Sequence, residues 1–174
     1  MKRTLLSSVV AVLAFTALLG IAYPLVITGV SQIAFGANAD GNPDLIAKDT
    51  KGDERYFQPR PSQTEYNAEG TFFSNRGPNS SSAEYFYREQ ADAYRAMNDG
   101  AEPPMDAVTT SASGVDPHIS EENAEIQARR VARVRGIPLD RVTQLVRENT
   151  DGRFLGIFGE PGVNTTKLNE ALDR

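Results

Sequence analysis

The sequence contains no cysteine, no tryptophan and a single histidine, His118, among its 174 residues. Without cysteine there is no disulfide framework, no thiol nucleophile and no cysteine-bound zinc or iron–sulfur centre. One histidine excludes the histidine-rich metal sites, and we expect neither a metal ion nor a tightly bound cofactor. The 23 Asp and Glu residues outnumber the 18 Lys and Arg residues, which gives a net charge of −5. Because nucleic-acid binding needs clustered positive charge, nucleic acid is not an expected partner.

Charge is missing altogether from residues 4–39, a long run made mostly of Leu, Val, Ala, Ile and Phe. A bilayer core about 30 Å thick is crossed by a helix of about 20 apolar residues. The run therefore predicts a single transmembrane helix. The chain then divides into four expected parts: a cytoplasmic tip (1–4), the transmembrane helix (5–34), a linker (35–55) and an extracytoplasmic domain (56–174).

Lys2 and Arg3 precede the apolar run, and the next charged residue is Asp40. The positive-inside rule predicts a cytoplasmic N-terminus and an outer C-terminal part. With Lys2 and Arg3 set aside, 16 basic and 23 acidic residues remain outside, a net charge of −7. A cleaved signal peptide is the alternative, because Ala37-Asn38-Ala39 fits a cleavage pattern. The apolar core of a signal peptide is about 7–15 residues long, so the length of this run favours a retained anchor.

The patterning of the outer part predicts an α+β fold, a small mixed α/β domain that follows the transmembrane helix. Three or four helices are expected, with candidates at residues 80–97, 120–136, 138–148 and from Asn164 onward. Short strands are expected at the apolar or aromatic pieces 56–57, 71–73, 105–109 and 154–158. A basic cluster near the end of the second helix is predicted to be solvated, because positive side chains suit a helix C-terminus. Its members are Arg129, Arg130, Arg133 and Arg135.

The common catalytic signatures are absent: there is no GxxxxGK[ST], no GxGxxG after a strand, no GxSxG and no HExxH. Side chains that could take part in catalysis are densest in residues 109–120, which hold several hydroxyls together with Asp116 and His118. A membrane-anchored envelope hydrolase using Asp116, His118 and a serine is one interpretation. Triad members normally come from separate elements, whereas these two residues share one loop. A rigid loop that caps the next helix, or docks a partner, is therefore favoured.

Several segments together resemble one family. In the apolar run they are Tyr23-Pro24-Leu25, Thr28-Gly29, Gln32 and Phe35. In the outer part they include Arg60-Pro61-Ser62, Ser74-Asn75-Arg76-Gly77-Pro78, residues 109–120 and Gly159-Glu160-Pro161. In these segments, which follow one order along the whole chain, the sequence resembles the C subunits of Kdp-type potassium-transporting ATPases, the KdpC family.

The resemblance implies a non-catalytic subunit in a bacterial cell (inner) membrane, with two partners: a channel-like potassium-translocating subunit and a P-type ATP-hydrolysing subunit. It implies help with assembly and stability, and a chaperone role that raises the ATP affinity of the hydrolysing subunit. The nucleotide-binding loop would fall on Ser111, Ser113 and Gly114. The candidates for partner docking are Tyr23, Pro24, Gln32, Arg60, Asn75, Asp116 and His118.

The predicted topology separates this loop from cytoplasmic ATP, so ATP would act only through the complex. We therefore prefer a docking mechanism, in which the anchor packs beside the channel-like subunit and the outer domain sits over the potassium entrance. The net charge of −7 would then raise the local cation concentration. A free-standing, membrane-anchored binding module is the remaining alternative.

Overall fold

A computed structural model of the chain describes residues 2–36 and 43–174. The chain divides into two compact units, Met1–Asn42 and Pro43–Arg174. The Ala37-Asn38-Ala39 pattern lies outside the described residues.

The first unit is a continuous helix, Lys2–Phe35, made of α1 (Lys2–Ala17), a π-helical turn (Leu18–Ala22) and α2 (Tyr23–Phe35). Proline has no N–H and cannot continue the regular hydrogen-bond pattern. Just before Pro24, the N–H of Tyr23 donates to the carbonyl of Leu18, five residues back. At 1.5 Å per residue the helix is about 50 Å long. Its length and composition suffice to cross a membrane, and no residue in its most apolar window is buried.

The second unit contains five helices and a small sheet. The helices are α3 (Ser81–Met97), α4 (Met105–Val108), α5 (Glu121–Arg135), α6 (Leu139–Glu148) and α7 (Thr165–Leu172). The strands are β1 (His118–Ile119), β2 (Thr150–Asp151) and β3 (Gly162–Asn164). An apolar N-terminal helix followed by a mixed helix and sheet unit confirms the predicted α+β fold class.

Helices α3, α5 and α7 begin where the sequence supplies capping side chains. Ser80, Ser120 and Asn164 each accept a hydrogen bond from a backbone N–H three residues later, which satisfies one free donor at each helix start. Helix α5 ends at Gly136, whose φ of +66° is the left-handed conformation that favours glycine. These helices were predicted at nearly the observed bounds, because caps and apolar periodicity are both local signals.

The sheet is antiparallel, with β3 in the middle in the order β1-β3-β2. His118 pairs with Asn164, and Asp151 pairs with Gly162. The core forms where β3 and Phe57 pack against α5, α6 and α7. Its fully buried apolar members include Phe57, Val131, Val142, Val163 and Leu168. Each such side chain contributes about 1.5–3 kcal/mol through burial.

Residues 43–55 are hydrogen-bonded to the rest of the second unit and begin with a short 3₁₀ turn, Pro43–Leu45. The N–H of Ala47 donates to the carbonyl of Val115 at 2.8 Å. The side chains of Asn164 and Thr166 donate to the carbonyls of Asp44 and Ile46, respectively. This segment is therefore tied to the loop before β1 and to the start of α7.

The predicted strands are wrong. Residues 105–108 form helix α4, after Pro104 at its N-cap. Residues 154–158 form a tight hairpin in which only Phe154 and Phe158 pair. Residues 56–57 and 71–73 lie outside the strands. The backbone of Phe57 is satisfied by the Asn169 amide, which accepts from its N–H at 2.8 Å and donates to its carbonyl at 2.9 Å. A side chain thus replaces the expected strand partner.

The predicted solvation of the basic cluster is wrong for Arg130 and Arg135. Arg130 is fully buried, and its Nη2 donates to the carbonyl of Tyr56 and to Oε1 of Gln127. Burial lowers the pKa of Arg130 to about 10. Arg135 donates to the carbonyls of Arg55 and Leu172 and is paired with Asp173. Both side chains therefore join α5 to other parts of the unit.

Candidate docking site

In the hydroxyl-rich loop, residues 109–120, serine side chains accept hydrogen bonds from backbone N–H groups of the same loop. Ser111 is buried, and its Oγ accepts a hydrogen bond from the N–H of Gly114 at 2.9 Å. Oγ of Ser113 accepts from the N–H of Val115 at 3.2 Å. Gly114 has a φ of +77°, and a Cβ there would lie 2.5 Å from Oγ1 of Thr64. Glycine is therefore required at 114 both by conformation and by close approach.

Residues 60–66 hold this loop from the other side. Ser62 Oγ donates to the carbonyl of Gly114 at 2.6 Å and accepts from the N–H groups of Thr64 and Tyr66. The assignment of Ser111, Ser113 and Gly114 to nucleotide stays a prediction. In this structure, the polar groups described for those residues bond within the protein.

Arg60 and Asn75, two docking candidates, differ in their surroundings. The half-buried Arg60 donates through Nη2 to the carbonyl of Thr110 at 3.3 Å and to Oγ1 of Thr109 at 3.4 Å. Asn75 is exposed and has a φ of +52°, a conformation that asparagine tolerates better than most residues. Next to it, the Arg76 guanidinium lies 4.1 Å from the centre of the Phe86 ring. Arg60 thus belongs to the scaffold of the loop, whereas Asn75 is presented to solvent.

His118 lies between two carboxylates. Its Nδ1 is 3.0 Å from Oδ1 of Asp116, and its Nε2 is 2.9 Å from Oδ2 of Asp151. The hydrogen bond to Asp116 raises the pKa of His118 against the effect of burial, and the bond to Asp151 adds to it. Burial would raise the pKa of Asp116, but hydrogen bonds from the His118 ring and backbone outweigh it, so that pKa is lowered. Both carboxylates therefore stabilise the imidazolium form of His118.

Asp151 reaches His118 across the central strand. The two residues lie on β1 and β2, and between them β3 places Gly162. A Cβ at 162 would lie 3.2 Å from Cβ of His118, tighter than ordinary contact. Sequence reasoning found Asp116 and His118 but missed Asp151, which is 33 residues away. Only the register of the sheet could have identified it.

We call the group Asp116, His118 and Asp151 the clasp. A Ser-His-Asp triad needs one ring nitrogen facing a hydroxyl, whereas both nitrogens here face carboxylates. The clasp borders an open cavity of about 420 Å³, which Arg60, Asp106 and Glu160 also line. Within residues 2–36 and 43–174, no group of three or more His, Asp or Glu side chains is arranged to hold a metal ion. The clasp is suited to joining the two edge strands of the sheet and to presenting charged groups to the cavity.

The remaining candidates lie on the first unit. Tyr23 and Pro24 begin α2, directly after the π-helical turn, and Gln32 is near its end. All three are exposed on the helix surface. An irregular turn followed by an aromatic side chain gives this part of the helix a shape that a regular apolar helix would not have.

The sequence did not indicate that the hairpin between β2 and β3 exposes apolar side chains. Phe154, Leu155, Ile157 and Phe158 are each between 60% and 75% exposed. Its apolar composition predicted a strand, and a strand of this composition would normally be buried. The hairpin and the clasp meet at Asp151, where β2 ends.

Known proteins resemble this chain along nearly its whole length. The sequence model of the family described as KdpC, "K+-transporting ATPase, c chain", matches residues 5–174. Among curated relatives named potassium-transporting ATPase KdpC subunit, that of Bradyrhizobium diazoefficiens is 42% identical over 199 aligned positions, covering 100% of this chain and 98% of the relative. That of Polaromonas naphthalenivorans is 43% identical, covering 99% and 95%. That of Mycobacterium tuberculosis strain H37Rv is 41% identical and covers both chains completely. The chain therefore belongs to the KdpC family, the c chain of K+-transporting ATPases.

Proposed function

We propose that the chain is a membrane-anchored accessory subunit of a potassium-transporting ATPase complex, and that it works by docking to the channel-like and ATP-hydrolysing subunits. The observation that carries this proposal is the span of the family match. It starts at residue 5, inside the helix Lys2–Phe35, and continues to Arg174. The apolar helix is thus part of what the family shares, together with the folded unit.

The anchor supports the proposal because no residue in the most apolar window of the helix is buried. Lipid covers such a helix, and a neighbouring transmembrane helix covers it more specifically where side chains and small residues fit together. Tyr23 and Pro24, at the π-helical turn, supply a distinctive shape for that contact. We propose that this part of the helix packs against the channel-like subunit.

The outer unit supports an accessory role rather than a hydrolytic one. Both ring nitrogens of His118 are engaged by carboxylates, so the hydrolase interpretation lacks a ring nitrogen that faces a serine. The net charge of −7 beyond residue 39 suits a domain near a cation entrance, where it would attract potassium electrostatically. We therefore propose that the domain acts on the outer, potassium side of the complex and contributes to its assembly and stability.

Co-purification tests the proposal. The tagged full chain is expressed with the channel-like and ATP-hydrolysing subunits of the same organism and purified in mild detergent. We expect both subunits to be recovered with it. In the matched variant an unrelated single-span helix of equal length replaces Lys2–Phe35, and recovery should fall strongly. A wild-type chain that purifies alone would contradict the proposal and favour the free-standing binding module.

Topology is tested separately, since a chain without cysteine accepts single labels. Thr4→Cys and Glu69→Cys are treated in intact cells, with the outer membrane made permeable, using a maleimide that cannot cross the inner membrane. The Glu69→Cys variant should react at once, and Thr4→Cys should react only after the membrane is broken. The reverse pattern would place the folded unit in the cytoplasm and contradict the proposed topology.

A further inference from the structure

The hairpin at residues 153–160 is a small, well-defined projection from the sheet. Phe154 and Phe158 exchange two backbone hydrogen bonds, at 2.8 and 3.0 Å. Below them, Nη2 of Arg153 is 2.9 Å from Oε2 of Glu160. The hairpin leaves the sheet at the Asp151–Gly162 pair, which the clasp holds through His118. Its base is therefore fixed by the sheet, by an ion pair and by a histidine bridge.

The tip of the hairpin is unfavourable for an isolated domain. Four large apolar side chains in a run of five residues are mostly exposed, although burial is what normally stabilises such groups. Leu155 in addition has a φ of +52°, a conformation for which glycine or asparagine would be the usual choice. Contiguous exposed apolar surface of this kind marks an interaction site. Backbone strain at its centre supports the same reading.

The charges around the tip favour a protein over a lipid surface. Segments that enter the membrane interface usually carry Lys or Arg beside the apolar residues, which attract anionic lipid headgroups. Here Arg153 is already paired with Glu160, and Asp116 and Asp151 share the one imidazole of His118, which leaves an excess of negative charge at the base. The outer part as a whole is acidic. An acidic base under an apolar tip is complementary to an apolar pocket with a basic rim.

We propose that the side chains of residues 154–158 insert into an apolar pocket with a basic rim on the outer face of a partner subunit of the potassium-transporting complex. This inference rests on the proposed function and names the element that makes the contact. Phe154 and Phe158 are the anchors, because they stand opposite each other on the two arms of the hairpin. The clasp keeps the hairpin oriented for docking.

A single fluorescent label tests this inference. The cysteine-free chain allows Ile157→Cys to be labelled with an environment-sensitive dye before assembly. Leu139→Cys is the matched control, an exposed apolar position at the first residue of α6. It lies nine residues before Glu148, where the helix ends next to β2. The labelled full chain is placed in nanodiscs of phosphatidylethanolamine and phosphatidylglycerol, first alone and then with the two partner subunits. We expect a blue shift at position 157 only with the subunits, and none at position 139.

A second variant measures the contribution of the anchors. Phe154→Ser with Phe158→Ser should weaken binding to the partner subunits at least about tenfold, while Leu139→Ser should not. Because both phenylalanines are exposed, the melting temperature should stay at the wild-type value. A blue shift in lipid alone would overturn the inference in favour of membrane insertion. An unchanged signal in a complex that still co-purifies would overturn it and leave the proposed function standing.

Discussion

Nε2 of His118 lies 2.9 Å from Oδ2 of Asp151, so a side chain on β1 is joined to a side chain on β2 across the central strand. Asp116 holds the other ring nitrogen at 3.0 Å. The absence of a side chain at Gly162 leaves room for the ring above β3. A sheet whose outer strands have only two residues each is thus reinforced by a charged bridge between its edges.

We predict that Asp151→Asn lowers the pKa of His118. The substitution replaces the carboxylate beside Nε2 with a neutral amide. The imidazolium form is then stabilised less. His118 is the only histidine of the chain, so its ring protons give a single NMR titration that needs no assignment. Asp140→Asn, in the first turn of α6, is the matched control and should leave the pKa unchanged. Equal pKa values in wild type and Asp151→Asn would contradict the bridge.

Stability should depend on pH through the same residues. The folded-state pKa of His118 is raised above its usual 6.5. The stabilisation is therefore complete below about pH 6.5 and is lost as the pH rises through the higher folded value. The pKa of Asp116 is lowered, so its contribution is present above its usual pKa and lost as the pH falls through the lower folded value. The clasp stabilises the unit most in mildly acidic solution.

Melting temperatures of the full chain in detergent, compared between pH 5.5 and 8.5, test this dependence. The wild type should lose more stability over that interval than His118→Gln, which keeps a polar side chain but does not titrate. If both proteins respond to pH to the same extent, the clasp does not contribute in the stated direction.

The parts of the fold that could be predicted are those whose signals are local. Ser120 caps α5 through a contact three residues away, and Gly136 ends it through its own backbone conformation. The strands could not be found in this way, because two-residue strands show no alternation. Their positions depend on β3, which lies more than forty residues after β1 in the sequence. The helix at 105–108 was mistaken for a strand because one short turn has too few residues to show a period.

In the candidate site, too, local signals identified some residues, whereas others are brought in only by long-range contacts. Asp116 and His118 were found together because they are two residues apart, and the structure shows them in contact. Asp151 enters only through the sheet, and the exposed hairpin could not be recognised because apolar composition normally indicates burial. Arg130 was expected in solvent, yet it reaches the carbonyl of Tyr56 from inside the unit. Each missed feature depends on a contact between distant parts of the chain.

Alanine substitutions at two glycines should separate the energetic cost of a steric clash from the cost of the left-handed backbone conformation. Gly100 and Gly114 have nearly the same φ, +80° and +77°. A Cβ at 100 would meet nothing within 4 Å, whereas one at 114 would collide with Thr64. Gly100→Ala should cost about 1–2 kcal/mol for the left-handed conformation. Gly114→Ala should cost about 1–3 kcal/mol more for the added clash.

Urea denaturation of the full chain in detergent measures the two free energies of unfolding. Equal losses for Gly100→Ala and Gly114→Ala would show that the contact between Gly114 and Thr64 does not hold the loop in place.

Asp106 should matter for stability although it lies near the surface. It accepts hydrogen bonds from the N–H and Oγ of Ser120, both at 2.8 Å, and from Nδ2 of Asn123 at 3.0 Å. Asn123 is buried and also accepts from Tyr94. Asp106→Ala removes an ionised acceptor from this network and should cost about 2–3 kcal/mol.

The matched control for Asp106→Ala is Asp92→Ala, since Asp92 is exposed and its partner Arg95 also binds Glu102. That substitution should change the unfolding free energy by less than about 0.5 kcal/mol. If the two variants unfold at the same urea concentration, the network around Asp106 does not stabilise the start of α5.

The central claim, that this chain acts as an accessory subunit, is tested most directly by potassium-stimulated ATP hydrolysis. The channel-like and ATP-hydrolysing subunits are purified without this chain, and activity is measured before and after the purified full chain is added. The account predicts no ATP hydrolysis by the chain alone, little potassium-stimulated hydrolysis without it, and recovery when it is added. Full potassium-stimulated hydrolysis in its absence, or hydrolysis by the isolated chain, would contradict the account.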